Sequence, residues 1–189
     1  MLQPEKKMIS PEEYFKMEQT SEYKSEYYQG DIFAMSGASV NHNLIVSDVI
    51  TALNTALRGS DCVVFPSDIK VQADELQHYT YPDISVVCGD IEFIADHDDI
   101  IVNPVVIVEV LSESTADYDR GSKFKAYRKI SSLRNYILID QYGYSVENFF
   151  KNKEDKWELE EFENLNEVVK IKSVGVELSL ENIYYHVHF

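Results

Sequence analysis

Val105-Val106-Ile107-Val108-Glu109-Val110-Leu111, introduced by Pro104, is the most apolar run in the chain, and it carries a single charge near its centre. A continuous run of this kind reads as a central strand covered on both faces. A lone carboxylate inside such a strand is costly unless it is paired or bound to a metal. Upstream, Tyr81-Pro82-Asp83-Ile84-Ser85-Val86-Val87 places Asp83 at the head of a second apolar strand. Two such strands side by side bring two carboxylates within reach of one hard cation, and Mg²⁺ is commonly held by one or two carboxylates with water and phosphate completing its shell. A structural pairing satisfies the same burial. Glu109 could meet Lys123 or an arginine, and Asp83 could cap the turn after Pro82. Residue types alone favour that structural reading.

Outward from this stretch the pattern is mixed. Ser10-Pro11-Glu12-Glu13 reads as a capped helix start, the helix running to about Glu22. Glu26 to Met35 reads as two short strands around a turn at Gln29-Gly30, and Ser36-Gly37-Ala38-Ser39 breaks the pattern. Ile45, Val49, Leu53, Ala56 and Leu57 recur at helical spacing over Val40 to Arg58, with Gly59 where a stop belongs. Strand-like segments follow at Cys62 to Phe65, Asp68 to Ala73 and Tyr81 to Cys88; the acidic stretch after Gly89 reads as loop or short helix. Ser114 to Asp117 can cap a helix from about Asp119 to Lys129, and Arg134 to Asp140 is another strand. Ser145 to Phe150, Trp157 to Phe162 and Val168 to Val174 read as hairpin strands, with a short helix around Leu180 to Tyr185. The order predicts an α/β chain, a mixed sheet with helices on its faces. We expect a single domain over 1–189, with a core at about 10–142 and a hairpin extension at about 143–189.

The chain is 44% hydrophobic, enough for a sizeable core, and its net charge is -16. That charge argues against a general nucleic-acid coat protein, which needs positive charge for phosphate. It leaves a nuclease open, because carboxylates hold metals and the field that matters is local. The charge is also uneven. Asp90 to Glu113 holds seven acidic residues and no Lys or Arg, whereas Arg120 to Arg134 holds six basic residues and no acidic one. Cys62 and Cys88 lie far apart, without zinc-type spacing, and read as buried free thiols in a reducing compartment. The N-terminus lacks the apolar core of a signal peptide, and no apolar run approaches membrane-spanning length, so a cytoplasmic protein is expected.

Glu26-Tyr27-x-x-Gly30, Asn41-His42, Pro82-Asp83-Ile84, Val108-Glu109-Val110-Leu111-Ser112 with Ser114-Thr115, Asp119-Arg120-Gly121-x-Lys123-Phe124-x-x-Tyr127 and Leu133-Arg134-x-Tyr136 occur in that order. Each piece is weak alone, but the ordered set, spanning about residues 10 to 185, resembles the Uma family of bacterial restriction-endonuclease-like proteins, within the PD-(D/E)XK nuclease superfamily. The resemblance implies a core of helix, three strands, helix and strand. It makes Asp83 and Glu109 the acidic pair. The superfamily lysine, expected two residues on and on the same strand face, is here Leu111. Lys123, on the next helix, is the natural substitute. Glu26 matches the family's early glutamate, which would add to the metal site, and the Val110 carbonyl is a possible third ligand. His42 could assist proton transfer or contact phosphate. Asp68 and Lys70 could line the cleft.

The function so implied is metal-assisted hydrolysis of phosphodiesters, most readily in DNA, with Mg²⁺ or Mn²⁺ on Asp83, Glu109, Val110 and Glu26. Arg120, Lys125 and Arg128 would hold the nucleic-acid backbone. A homodimer is expected, because cutting two strands takes two sites related by a two-fold axis. An accessory module that keeps the nuclease fold with little activity is the alternative, and a carboxylate-pair glycosidase is a distant third. The aromatics Phe149, Phe150, Trp157 and Phe162 serve either a dimer surface or the core.

Overall fold

The computed structural model describes residues 8–35, 37–74 and 78–189. Ser36 of the expected break, and the first seven residues of the N-terminus, lie outside these. Helix α1 (Pro11–Glu18) begins as its sequence dictates, with a reciprocal cap: the Glu13 N–H donates to Ser10 Oγ, and the Ser10 N–H donates to the Glu13 carboxylate. It stops at Glu18 instead of running to Glu22.

Strands β1 (Ser25–Tyr28) and β2 (Asp31–Ala34) pair through a two-residue turn, Gln29 and Gly30, with φ of 48° and 94°. Two left-handed residues in succession match the twist of a tight hairpin. A Cβ on Gly30 would also meet Met8 Cβ at 2.9 Å. Gly30→Ala is therefore expected to cost about 1–2 kcal/mol, seen as a lower urea midpoint with an unchanged slope.

Helix α2 (Val40–Ala56) is capped by Ser39 and buries Ile45, Val49 and Leu53, as the periodicity predicts. After it come β3 (Cys62–Pro66) and β4 (Lys70–Asp74). The segment expected as one strand from Tyr81 to Cys88 is interrupted. β5 (His78–Thr80) lies before Pro82 and β6 (Ile84–Cys88) after it, and the two belong to different sheets. Proline removes a ladder donor and restricts the residue before it, so the chain changes direction here. The acidic stretch contains β7 (Ile100–Ile101) and then leads to β8 (Val106–Leu111), every residue of which is buried.

Beyond β8 the helical stretch has three parts: α3 (Ala116–Tyr118), a π-helical turn (Asp119–Lys123) and α4 (Phe124–Tyr127). Then follow β9 (Asn135–Asp140), β10 (Val146–Lys151) and β11 (Trp157–Phe162). The hairpin strand expected from Val168 to Val174 ends earlier, as β12 (Val168–Ile171), and pairs with β13 (Val176–Ser179), which is closed by α5 (Leu180–Ile183).

The main sheet has the order β11-β10-β9-β8-β6-β3, and a second has the order β2-β1-β5-β4-β7. In the main sheet β8 runs parallel to β9 and antiparallel to β6. With the second sheet's β4, β5 and β7 set aside, helix α2, strands β3, β6 and β8, the α3–α4 stretch and β9 come in the order helix, three strands, helix and strand. The fold is mixed α/β, and β8 is interior, as its apolar run requires.

Alternation along β8 decides where Glu109 points. Val106, Val108 and Val110 pack with Ile45, Val49 and Leu53 of α2. Ile107 and Leu111 face the other way, with Phe124 and Tyr127 of α4. Glu109, between them in register, shares that second face. Phe149 and Trp157 belong to the same layer, against Phe124, at centroid distances of 4.5 and 5.2 Å.

The two cysteines are not free thiols. Cys62 and Cys88 are bonded across β3 and β6, where they are directly opposed in register. Their separation of 26 residues concealed a juxtaposition that only the strand pairing creates. Among the described residues, no helix is long and apolar enough to cross a membrane.

Candidate active site

Four carboxylates and one ammonium converge where β1, β6, β8 and the π-helical turn meet. Glu109 comes from the middle of β8 and is 4% exposed; Lys123 comes from the π turn and is 5% exposed. Lys123 Nζ lies 2.9 Å from Glu109 Oε1, 2.9 Å from Glu26 Oε1 and 3.6 Å from Asp119 Oδ1. Glu26 stands on β1 and is 6% exposed. The π turn matters to this geometry. Its wider coil buries both Asp119 and Lys123, four residues apart, on one side, and such turns recur at functional sites.

Asp83 sits in the break between β5 and β6, immediately before the strand. Its Oδ2 accepts from the Val110 N–H at 2.7 Å and contacts His42 Nε2 at 3.1 Å. The Asp83 N–H in turn donates to Glu109 Oε2 at 3.4 Å. Asp83, at the head of β6, and Glu109, within the paired β8, are therefore laced together through the Val110 and Asp83 backbone N–H groups. His42 reaches Asp83 from the first turn of α2, its own N–H held by Ser39 Oγ. The start of α2 is anchored to the end of β8 by Gln141, whose Nε2 donates to the Leu111 carbonyl at 2.7 Å and whose Oε1 accepts from Ser39 Oγ.

The electrostatics follow from this crowding. Burial pushes the Glu109 carboxyl well above the usual carboxylate range; Lys123 opposes the shift, while Asp119, Asp83 and Glu26 add to it. Burial also raises Asp119, again against the pull of Lys123. Burial works against the Lys123 ammonium, but Glu109 and Glu26, with Tyr127 and Asp119, outweigh it and hold its pKa well above the ordinary lysine value. One ammonium does not neutralise four carboxylates, so the cluster retains an excess of negative charge.

The donor set fits a hard divalent cation in part. Asp83 Oδ1 has no hydrogen-bond partner among the described residues, and Glu109 Oε2 accepts only the long bond from Asp83. These two oxygens have spare lone pairs. Glu26 is more fully engaged: its Oε1 accepts from Lys123 and from the Tyr81 N–H, and its Oε2 from the Tyr118 hydroxyl at 3.3 Å. Among the described residues, no three carboxylate or imidazole side chains of this site each bring a ligand atom within 4.8 Å of the other two. Lys123 stands between Glu26 and Glu109.

The structure thus brings Glu26, His42, Asp83, Glu109, Val110 and Lys123 together. It adds residues to which the sequence reading gave no role. Asp119 and Tyr127 were inside the quoted motif; their signal was the spacing of four residues on either side of Lys123. Tyr118, His78 and Thr80 carried no sequence signal. Asp68 and Lys70 do not join the site. Asp68 precedes β4, is exposed and pairs with Lys24; Lys70 is buried against Asp99 and lies under the Tyr81 ring. Of the basic residues, Arg120 is paired with Glu147 at 2.6 Å, Arg128 lies over the Phe124 ring, and Lys125 is exposed.

The family model of Uma2, described as "Putative restriction endonuclease", matches residues 11–181. The Synechocystis sp. protein slr1290 is 35% identical over 176 residues, covering 93% of this chain and 91% of its own. A second Synechocystis sp. protein, sll1609, is 34% identical over 170 residues, covering 90% of this chain and 96% of its own. The crystal structure of a protein from Anabaena variabilis, described as a putative nuclease belonging to DUF820, superposes with a TM-score of 0.77 at 21% identity, covering 94% of this chain and 98% of that one. With its acidic strand pair, its core order and a family match along nearly its whole length, the chain belongs to the Uma2 family.

Proposed function

We propose that this protein is a metal-dependent endonuclease that hydrolyses phosphodiester bonds in DNA. The observation that carries the reading is the meeting of Lys123 with Glu109 from separate elements, beside an Asp83 whose outer oxygen is open. Leu111 fills the strand position where the superfamily lysine belongs and packs into the core, so the ammonium comes from the helix instead. Asp83 and Glu109, with the Val110 carbonyl, would hold Mg²⁺ or Mn²⁺. Bound there, the ion supplies a water of lowered pKa and draws charge from the phosphate.

The chain's own groups do the rest. Lys123 sets a fixed positive charge at the inner edge of the acidic pair, where it orients the attacking water and offsets charge that develops on the phosphate. Glu26 and Asp119 keep Lys123 in place; in this reading Glu26 serves the lysine more than the metal. His42 occupies Asp83 Oδ2 and leaves Oδ1 facing outward, and it is the nearest candidate to move a proton. Lys125, exposed on α4, Arg128, exposed just past its end, and Arg120, once freed from Glu147, are the groups that would meet the DNA backbone. Two copies related by a two-fold axis would cut both strands.

A second reading is an accessory protein that keeps the fold without cleaving. The enclosure of Lys123 by three carboxylates favours it, because a lysine so held is not free to turn toward a substrate. Incubation of the pure protein with plasmid, single-stranded DNA and RNA, with and without Mg²⁺ or Mn²⁺, separates the two. Nicking or linearisation of plasmid that requires the metal is expected. Intact plasmid under all metal conditions would leave the accessory reading.

A further inference from the structure

Strand β5 lies against the site but contributes no carboxylate. His78 and Thr80, two residues apart, share one face of it, while Tyr79 between them packs into the Tyr14 and Tyr27 cluster on the other face. His78 is 2% exposed, and its Nε2 lies 2.9 Å from the Tyr118 hydroxyl. That hydroxyl donates its one proton to Glu26 Oε2 at 3.3 Å, so His78 must be the donor in the first contact. Thr80 repeats the arrangement. Its Oγ1 lies 2.8 Å from the Tyr127 hydroxyl, which donates its one proton to Glu109 Oε1 at 3.0 Å, so the Thr80 proton goes to Tyr127 ahead of its longer acceptor, the Val71 carbonyl at 3.4 Å. The two glutamates so reached are those that flank Lys123.

We infer that His78 and Thr80 are positioning residues, each acting through a tyrosine hydroxyl on one of the two glutamates that hold Lys123. The inference rests on the nuclease reading only for the purpose the lysine serves. Its physical content is separate. A carboxylate that receives both a tyrosine and an ammonium has its rotamer fixed, and a tyrosine that receives a donor cannot turn away. Burial lowers the His78 pKa and keeps the ring neutral, which suits a single N–H donor with a fixed tautomer. Its Nδ1 has no partner among the described residues, so the ring's one polar contact is with Tyr118. The two relays descend from one strand face onto two tyrosines nine residues apart, Tyr118 and Tyr127, on either side of the π turn.

The test reads Lys123 directly. Nitrogen-15 NMR of the Lys123 ammonium reports how fast its protons exchange, with no metal and no substrate present. Tyr118→Phe and His78→Leu should each speed that exchange by about tenfold, the loss expected for one hydrogen bond to a charged group. His78→Gln, which keeps an N–H near the Nε2 position, should restore the wild-type rate. Thr80→Val should act as Tyr127→Phe does, and Thr80→Ser should be silent. Adding His78→Leu to Tyr118→Phe should change nothing more, because a relay is lost once. The same variants should lower kcat by about tenfold with KM for DNA unchanged. Unchanged ammonium exchange in Tyr118→Phe, or additive effects in the double variant, would overturn the inference even if wild-type protein cleaves DNA. Faster exchange in a protein that cleaves nothing would retain the relay and remove the nuclease reading.

Discussion

Glu109→Gln is expected to abolish DNA cleavage and, in the same molecule, to raise stability. The loss should be about a thousandfold or more, on the order of 4 kcal/mol of transition-state stabilisation, because one of the two acidic groups with spare oxygen capacity disappears. Asp83→Asn should lose as much. The gain in stability has a different origin. Glu109 is a buried carboxylate in a cluster with excess negative charge, and an amide of the same shape removes a charge while keeping an acceptor for Tyr127 and Lys123. About 1–2 kcal/mol is expected, measured by thermal denaturation without metal. The sign can be checked against pH. The folded-state pKa of Glu109 stands above its unfolded value. The native protein therefore keeps a proton that the unfolded chain releases, and this contribution to stability falls as pH rises from the ordinary carboxylate range through the folded pKa. The difference between Glu109→Gln and wild type should be small in acid and grow toward neutral pH. A variant that cleaves at wild-type rate would remove Glu109 from the site. A variant less stable than wild type at neutral pH would show that its carboxylate is fully compensated by Lys123.

That opposition of stability and function explains which parts of the site could be read from sequence. Glu109 was legible because it violates a local rule: a charge in the middle of an apolar strand demands a reason. Asp83 was legible through its strand head and the Pro82 before it. Asp83 also shows the limit. The apolar run continuing past Pro82 invited one strand from Tyr81, whereas the chain changes sheets there, and this break lets β5 and β6 approach the site from different sides. Lys123 violates no rule on a helix rich in basic residues. Its burial becomes visible only once the π turn faces β8; residue types offered it as a structural partner for Glu109, and the family resemblance gave it a place in the site. Tyr118, Tyr127, His78 and Thr80 are ordinary core residues by type, and their roles exist only in their hydrogen bonds. The cysteine pair failed for a similar reason. Spacing says nothing about two residues that meet through strand register. The alternation of helices and strands along the chain, by contrast, carried well, because periodicity is what a sequence displays; the core of helix, three strands, helix and strand came with the family resemblance.

The second large effect concerns Lys123 itself. Lys123→Met keeps the length and apolar stem of the side chain and removes the charge, leaving Glu26, Glu109 and Asp119 buried around the gap. Removing one partner of a buried ion cluster costs about 3–5 kcal/mol, because the remaining carboxylates must then take up protons or water. For a chain of this size, that lowers the melting temperature by roughly 10 °C. Cleavage should be lost as well, so activity alone cannot tell a collapsed site from a missing charge. Two additions separate them. Millimolar Mg²⁺ or Mn²⁺ should return part of the lost stability, since a cation that binds only the folded state stabilises it by mass action. Combining Lys123→Met with Glu26→Gln and Glu109→Gln should return most of it without metal, because the uncompensated charges go with the ammonium. If Lys123→Met melts where the wild type does, the three carboxylates around it are not held by this lysine. The contacts at 2.9 Å would then carry no energy, and the assignment of Lys123 as the relocated lysine of the site would fail with them.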